Sequence, residues 1–508
     1  MNGALAAVDW AIVAAYVGGI VALSWAFARR QRTGTDYFLA GRGMGALPLG
    51  ASILANQASA VSLVGAPAFV ALREGGGLRW LQYELALPLA MLALIAWLLP
   101  ALRSVPGSSI YEYAEMRFGR GTRRALAGAF LLSRGLALGV VLYASALVVS
   151  AATGFGVTVS LLAVGLLSVA YTSLGGIVAD IWSDVAQLVL LWVGTLASGI
   201  WLLSRPGVVD ALPAERMQAI VPELGPHADS FTLGPMLIGG LFLYLSYYGC
   251  DQSQAQRLLT ARDDRSARRA LVFTGLLRFP MVATYCLFGL LLAGLLRVDS
   301  AFAASLEGRP IDSLVPVFLT TQLPAGLRGL LVAGILAAAM SSIDSALNSL
   351  AAVTLEDVFG RPAGEQNVWL GRGVSLAWGL FAVAAGIACA HSGAAILELI
   401  NRIGSLFYGP LAGVFALGVA APAVAGRHAV AALALGLGGN LALALGAPWL
   451  SWLWWNPAGF LATFAAGSLL ALRLPRLPRP AASRREALLL GGAFVVMLAL
   501  LAALGGPP

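Results

Sequence analysis

GASILANQASAVSLVGAP (50–67) is an apolar stretch that is interrupted by small polar residues, glycines and a proline. A comparable stretch, GGLFLYLSYYGC (239–250), occurs in the second half of the chain. Paired interrupted helices of this kind are the best sequence indication of a transport site between two structural repeats of a membrane protein. Unwound backbone there frees carbonyl groups that can coordinate a cation. The alternative is that both stretches are packing faces rich in small residues.

The composition of the whole chain places both stretches in a membrane. Of the 508 residues, 59% are hydrophobic and only 11% are charged. Soluble domains carry about 25% charged residues. The 60 glycines are typical of closely packed membrane helices. We therefore predict an all-α polytopic protein of the cell membrane, either an inner or a plasma membrane.

Apolar stretches long enough to cross the bilayer recur from end to end. We predict about fourteen membrane-spanning helices, at 8–28, 46–72, 79–102, 125–152, 155–173, 178–203, 232–250, 270–296, 325–353, 370–390, 394–424, 429–447, 452–472 and 486–505. All 32 basic residues are arginines, and most fall in loops that are inside if the amino terminus is outside. The positive-inside rule therefore predicts that both termini are outside. It also explains the net charge of +8 without a nucleic-acid partner.

The residue inventory excludes several classes of enzyme. A chain without lysine cannot contain a Walker A phosphate loop or form a Schiff base. Cys250, Cys286 and Cys389 lie in apolar runs without metal-ligand spacing, and the histidines are isolated. We therefore predict no catalytic residues and no cofactor other than a coupling ion, so we do not expect an enzyme.

A series of motifs occurs in the order found in a known family. The motifs are TDYFLAGR (35–42), SSIYEYAEMRFGRGTRR (108–124), YTSLGGIVADIWSDVAQ (171–187), DQSQAQRLL (251–259), LPAGLRGLLVAGILAAAMSSIDSALNS (323–349) and SLFYGPLAGVFALG (405–418). Over these residues the sequence resembles the family of sodium/solute symporters. The resemblance fades over the last predicted helices.

The resemblance implies a LeuT-type fold, in which two five-helix repeats have inverted topology. The repeats would span 46–203 and 232–424, with an outer loop at 204–231 between them. Residues 1–45 would form an accessory helix and an inner loop, and 425–508 would form three accessory helices at the carboxyl end.

Small side chains form a stripe on the predicted helix 325–353. The stripe consists of Ala338, Ser341, Ser342, Ser345 and Ser349, which share one helical face. Hydroxyl and carbonyl oxygens suit Na⁺, which is a hard ion. The resemblance implies a Na⁺ site made of the carbonyl groups of Ala55, Ala58 and Ala338 and the hydroxyl groups of Ser341 and Ser342. The alternative is that these serines bond back to their own helix or pack against a neighbour.

Two carboxylates lie at membrane depth in the cytoplasmic half, where charge is costly and indicates function. Asp184 occupies an acidic position of the family pattern, and the resemblance implies a possible second ion site formed by Asp184, Asp344 and Ser345. Asp344 departs from the family pattern, which has Ser or Thr there. It could bind a second Na⁺, hold a proton or pair with an arginine.

The resemblance also implies three residues of a substrate pocket. Ser62 follows the interruption in the first stretch, Glu84 matches an acidic position that sugar-transporting members use, and Tyr247 matches an aromatic that closes the pocket. Tyr244 or Tyr248 could replace Tyr247 in that role.

Arginines within the predicted helices indicate the class of substrate. Arg134 has no acidic residue within one turn, so it is the best candidate for binding a carboxylate through two parallel hydrogen bonds. Arg402 is a second candidate, although Glu398 one turn earlier could neutralise it. Arg278 is expected to extend toward the interface. The buried acids are numerous enough to neutralise every one of these arginines.

These observations favour Na⁺-coupled symport of a small organic solute by alternating access. A solute that bears a carboxylate is slightly favoured over a sugar or an amino acid. The alternatives are a proton-coupled or facilitative transporter of the same fold, with Asp344 as the titrating group, and a membrane solute sensor. The expected partners are the solute, Na⁺ and the lipid bilayer.

Overall fold

The computed structural model describes residues 5–28, 40–107, 109–172, 177–227, 231–361, 368–472 and 475–504. Nearly all of this part of the chain is helical, and its only β structure consists of isolated bridges from Met44 to Ala261 and from His227 to Leu450. Residues 35–39, 108 and 173–176, which belong to three of the motifs above, lie outside the described residues.

The described residues in the first half of the chain form ten α-helices. They are α1 (Ala7–Ala28), α2 (Ala46–Gln57), α3 (Ala60–Leu72), α4 (Ala86–Ala93), α5 (Leu99–Arg103), α6 (Tyr111–Phe118), α7 (Arg120–Thr153), α8 (Val157–Thr172), α9 (Ile177–Leu203) and α10 (Ala214–Met217). A 3-10 segment, Leu78–Leu85, and a π-helical turn, Leu94–Leu98, join with α4 and α5 into one apolar span.

The second half forms a further series of helices. They are α11 (Leu233–Cys250), α12 (Gln252–Leu259), α13 (Asp264–Val298), α14 (Ser300–Ala304), α15 (Leu314–Thr321), α16 (Leu327–Val353), α17 (Val368–Ala390), α18 (Ile396–Ala420), α19 (Gly426–Gly446), α20 (Trp455–Leu470) and α21 (Arg484–Leu504). Shorter 3-10 turns lie at Ile311–Ser313 and Trp452–Trp454, and a π-helical turn, Thr354–Val358, extends α16.

Ten helices among the described residues are long and apolar enough to cross a membrane, and the bent pair α2–α3 makes 11. The helices α1, α8 and α20 coincide with the remaining predicted spans but do not meet the same length and hydropathy in the described residues. An all-helical chain with many membrane spans is therefore confirmed. The count of fourteen crossings, the inverted five-helix repeats, the domain limits and the orientation of the termini stay predictions.

The first interrupted stretch is a broken helix, as its composition predicts. Ala58 (ψ 70°) and Ser59 (ψ 175°) leave the helical conformation, and α2 and α3 meet at an angle of 55°. The Ser62 hydroxyl donates a hydrogen bond of 3.1 Å to the carbonyl of Gln57 and so satisfies a group that the break exposes.

The second stretch is not interrupted where its composition predicts. Helix α11 runs without a break through 239–250, and the chain leaves the helical conformation only at Asp251. The Asp251 carboxylate accepts a hydrogen bond of 2.9 Å from the backbone N–H of Ser253 and so caps α12. The glycines serve packing instead, since a Cβ atom on Gly239 would lie 2.3 Å from the carbonyl oxygen of Leu453.

Helix α16 lies at the centre of the molecule, where 89% of its apolar span is buried, compared with 17% for α21. Its amino terminus is capped from outside its own sequence. Asp9 of α1 accepts hydrogen bonds from the backbone N–H groups of Gly326 (2.7 Å) and Gly329 (2.8 Å). A carboxylate at this position satisfies free N–H groups and complements the helix dipole. Accessory helix α1 is therefore fixed to the helix that carries the serine stripe.

Candidate functional site

A cavity of about 120 Å³ lies beside the break between α2 and α3. Its walls come from both sides of the break, from the 3-10 segment Leu78–Leu85 and from the long helices α7, α11, α13, α16 and α18. Most of the predicted substrate residues line it, and they are Ser62, Glu84, Arg134 and Tyr247. Ser342, a predicted Na⁺ ligand, lines the same cavity.

Arg134 projects from the middle of α7, and only 8% of its surface is exposed. The side chains of Tyr247, Tyr408 and Asp251 lie near its guanidinium group. None of the ion pairs within the described ranges includes Arg134, and its Nε atom has no hydrogen-bond partner there. A buried cation without a carboxylate within 4 Å is costly, so this side chain can receive an anion that enters the cavity.

Glu84 and Arg278 form an ion pair in the wall of the cavity. The Arg278 Nε atom lies 3.0 Å from Oε2 of Glu84, and the Tyr244 hydroxyl donates a hydrogen bond of 2.9 Å to Oε1. The expectation that Arg278 extends to the interface is wrong, because a buried carboxylate from a distant part of the sequence neutralises it within the membrane region. Each charge of the pair therefore cancels the other.

Arg402 is the predicted substrate residue that does not line the cavity. Its Nη2 atom lies 3.4 Å from Oε2 of Glu398, which is the neutralising contact considered as the alternative. Glu398 also accepts a hydrogen bond of 2.5 Å from the Nε atom of Arg73, so two arginines share one carboxylate. The side chain of Arg402 is 41% exposed, and it lies at the surface of the protein rather than in the wall of the cavity.

The predicted Na⁺ ligands come from the break and from α16, which pack against each other. Ala55 and Ala58 flank the end of α2, and the Ala55 carbonyl accepts a hydrogen bond of 2.8 Å from the N–H of Ala58. The hydroxyl of Ser342 is buried without a hydrogen-bond partner among the described residues. The hydroxyl of Ser341 points the other way and donates a hydrogen bond to Asp184.

A buried arginine that the sequence analysis missed lies next to the predicted second ion site. Arg257 of α12 is 1% exposed. Its Nη2 atom lies 2.9 Å from Oδ2 of Asp180 and 2.8 Å from Oδ2 of Asp184. It also donates hydrogen bonds to Ser52 (2.9 Å) and Ser345 (3.1 Å). We refer to Asp180, Asp184 and Arg257 as the buried charge cluster.

Asp344 bonds to a neighbour on its own helix. Its Oδ1 atom accepts a hydrogen bond of 3.3 Å from the side-chain amide of Asn348, one turn further along α16. Asp184 instead receives its hydrogen bonds from Ser52, Arg257 and Ser341. Of the set predicted for a second ion, Asp184 and Ser345 both bond to Arg257.

Comparison with known proteins identifies the family. The profile described as "Sodium:solute symporter family" matches residues 37–436. The chain belongs to the sodium:solute symporter family. Members of this family are membrane transporters rather than enzymes.

Relatives within the symporter family differ in what their names say they carry. The chain is 30% identical to the "Sodium/iodide cotransporter" of Homo sapiens over 82% of its own length and 66% of that protein's length. It is 28% identical to the "Sodium-coupled monocarboxylate transporter 2" of Homo sapiens, over 82% and 69% of the two lengths. The matched region thus spans about two thirds of these relatives.

A solved symporter structure has the same fold. The structure of a "Na+-coupled sialic acid symporter" in a "substrate-bound outward-open state" superposes with a TM-score of 0.81 and covers 93% of this chain and 99% of its own. At 24% sequence identity this likeness concerns the fold alone.

The residues that sequence reasoning missed in this chain left a weak signal. Asp180 and Asp184 are one turn apart on α9 and so present two carboxylates on one face, which predicts a cationic partner. The motif DQSQAQRLL contains that partner. Arg257 lies between the predicted spans 232–250 and 270–296, so the sequence predicts it in a loop on the inner side. Asp251 caps α12, and α12 is buried in the protein, so Arg257 on this helix is buried as well.

Proposed function

We propose that this chain couples the entry of Na⁺ to the uptake of a small organic anion, with a carboxylate as the favoured anionic group. The observation that carries the proposal is Arg134. Of the charged residues that line the cavity, Glu84 and Arg278 neutralise each other. Arg134 therefore gives the lining residues a net positive charge, while the carboxylate of Asp251 lies near it but beyond 4 Å and outside the lining. The planar guanidinium of Arg134 suits a carboxylate through two parallel hydrogen bonds.

The names of the relatives support an anionic solute. Iodide and monocarboxylates, the solutes in two of those names, are both anions. The hydroxyls of Tyr83 and Tyr285 line the cavity without a hydrogen-bond partner among the described residues, so they can donate to the rest of the solute. The Ser62 hydroxyl, which donates to the carbonyl of Gln57, can accept a hydrogen bond there. Tyr247 and Tyr408, with ring centroids 5.9 Å apart, close one side of the cavity near Arg134.

For the coupling ion we propose the predicted site made of the carbonyls of Ala55, Ala58 and Ala338 and the hydroxyls of Ser341 and Ser342. Support comes from Ser342, whose buried hydroxyl has no partner within the described chain and lines the solute cavity. A Na⁺ ion there would hold the broken helix against α16, and each ligand would raise the affinity for the other. The second site, with Asp184, Asp344 and Ser345, stays a prediction.

The test is uptake into proteoliposomes that contain the purified protein. Radiolabelled short carboxylates, iodide, a sugar and an amino acid are each offered with and without an inward Na⁺ gradient. We expect Na⁺-dependent uptake of an anion, and we expect Arg134→Gln to raise its KM by about tenfold or more, as for a lost charged hydrogen bond. Arg134→Lys keeps the charge but loses the paired N–H donors of the guanidinium, so its KM should lie between those of the wild type and Arg134→Gln.

Arg124→Gln is the matched control, because Arg124 lies on the same helix and is exposed. Equal KM values for Arg134→Gln and Arg124→Gln would refute the anion site. Preferred uptake of a neutral sugar would refute the substrate class. Uptake driven by a pH gradient alone would identify a proton-coupled transporter, and Na⁺-independent equilibration would identify a facilitative one. Solute binding without uptake would identify a sensor.

A further inference from the structure

The residues predicted to hold a second cation already bind a cationic side chain. The Arg257 guanidinium donates to Oδ2 of Asp184 at 2.8 Å and to the hydroxyl of Ser345 at 3.1 Å. Its side chain is 2% exposed, and that of Asp184 is fully buried. The guanidinium therefore competes for the same oxygens that a metal cation at this position would need.

Asp180 offers the guanidinium a second position. Its Oδ2 atom lies 2.9 Å from Nη2 of Arg257, and its Oδ1 atom is buried without a hydrogen-bond partner in the described residues. A guanidinium can bond to both oxygens of one carboxylate through two parallel hydrogen bonds. Asp180 can therefore accept Arg257 more fully than it does here, and Arg257 can leave Asp184 without losing a counter-ion.

The charges of the cluster do not balance. When both carboxylates are ionised, the one guanidinium leaves one negative charge in a buried region. The Ser341 hydroxyl also bonds to Asp184, on the oxygen that Arg257 does not contact. A monovalent cation would restore neutrality, and it would find the carboxylate and hydroxyl oxygens of Asp184, Ser341 and Ser345 once Arg257 had withdrawn.

We propose that Arg257 is a tethered competitor for a cation at Asp184. It bonds to Asp184 when no ion is present, and it moves onto Asp180 when Na⁺ binds between Asp184 and the serines of α16. This proposal rests on the proposed function, since it describes how the empty transporter replaces one of its ions. The ion-free protein then returns to the conformation that is open to the outside without two uncompensated carboxylates in its interior.

The position of Arg257 couples this exchange to the second break in the chain. Helix α12 begins at Gln252, and only its capping residue Asp251 separates it from α11, whose residues line the solute cavity. The other end of α12 is held by hydrogen bonds of Met44 with Thr260 (3.1 Å) and Arg262 (3.0 Å). A movement of α12 about the break at Asp251 would therefore withdraw Arg257 and deform the cavity wall together.

The experiment compares two substitutions that should act in opposite directions on the Na⁺ concentration for half-maximal uptake. Arg257→Gln removes the competitor, so this concentration should fall by about fivefold or more, within the usual range of coupling between sites. Asp180→Asn removes the place to which Arg257 withdraws, so the concentration should rise. Arg257→Lys keeps a competing charge and should lie closer to the wild type.

A comparison of net uptake with solute exchange gives a second readout. In Arg257→Gln, net uptake into solute-free vesicles should fall more than solute exchange, because only net uptake requires the return of the empty carrier. Arg269→Gln is the control, because Arg269 is an exposed arginine on α13 and has no part in the cluster or in the anchoring of α12. It should leave both readouts unchanged in the protein that folds.

Several results would overturn the proposal. One is an unchanged Na⁺ requirement in Arg257→Gln. Another is a shift of Arg257→Gln and Asp180→Asn in the same direction, as a general loss of stability would produce. If Arg257→Gln does not fold, a lower or unchanged Na⁺ requirement in Asp180→Asn overturns it. Failure of the wild type to show Na⁺-dependent uptake would refute the proposed function instead.

Discussion

Substitution of Glu84 by glutamine tests the charge assignment of the cavity wall. Glu84 is 1% exposed and accepts hydrogen bonds from the Tyr244 hydroxyl (2.9 Å) and from Nε of Arg278 (3.0 Å). Glutamine keeps the shape and one acceptor oxygen but removes the negative charge. Arg278, which is 7% exposed and whose Nη1 atom has no hydrogen-bond partner in the described chain, would then be a buried cation without a counter-ion.

The expected cost follows from the burial of both partners. Removing one member of a buried ion pair costs about 3–5 kcal/mol, because the remaining charge stays desolvated. The surviving acceptor for Tyr244 places Glu84→Gln near the lower limit, at about 3 kcal/mol. The double variant Glu84→Gln, Arg278→Gln contains neither charge, so it should recover about 2 kcal/mol or more of that loss.

The assay is thermal unfolding in detergent, followed for the wild type, both single variants and the double variant. We expect the double variant to unfold at a higher temperature than Glu84→Gln and Arg278→Gln. Additive losses would refute the reasoning, because they would mean that the two side chains do not compensate each other. Carboxylate uptake gives an independent check, since the double variant keeps Arg134 and should retain a preference for anions.

Three further predictions concern the supports of the site. Asp9→Asn should lower the free energy of unfolding by about 1–2 kcal/mol, measured by thermal unfolding, because a charged cap of α16 is lost. Gly289→Val should reduce the yield of folded protein in gel filtration, since a Cβ atom there would lie 2.6 Å from the Cα atom of a proline, whereas Gly128→Ala, with no atom within 4 Å, should not. Ser342→Ala should raise the Na⁺ concentration for half-maximal uptake by about tenfold with little loss of protein. An equal effect of Ser349→Ala would favour a packing role for the whole stripe.

The parts of the fold that follow from local sequence could be predicted. Apolar length determines where helices form in a membrane, so each predicted span coincides with a helix or a bent helix pair. Small polar residues around Ala58 predict the first break, because their side chains compete with the helix for backbone hydrogen bonds, as Ser62 does with the carbonyl of Gln57. The second break was misplaced, because glycines at 239 and 240 are as useful for close packing as for a turn.

The charge partners could not be predicted from spacing along the chain. Glu84 and Arg278 are far apart in sequence, and so are Asp184 and Arg257, so helical periodicity carries no information about these pairs. The Glu398–Arg402 pair lies one turn apart on a single helix, and it was anticipated for that reason. Arg134 was identified correctly as lacking a local acid, but only the three-dimensional arrangement shows that no distant carboxylate lies within 4 Å of it in the described residues.

The shared cavity has a thermodynamic consequence for coupling. Arg134 of α7 and Ser342 of α16 line the same space, and α7 packs directly on α16. A Na⁺ ion at Ser342 and an anion at Arg134 would therefore attract each other across a water-poor region, in addition to ordering the break between α2 and α3. Because binding free energies are reciprocal, whatever factor the anion contributes to Na⁺ affinity must equal the factor that Na⁺ contributes to anion affinity. A neutral solute would lack the electrostatic part of this coupling, so under the proposed function the charge of Arg134 would set both the class of solute and the strength of its linkage to the ion.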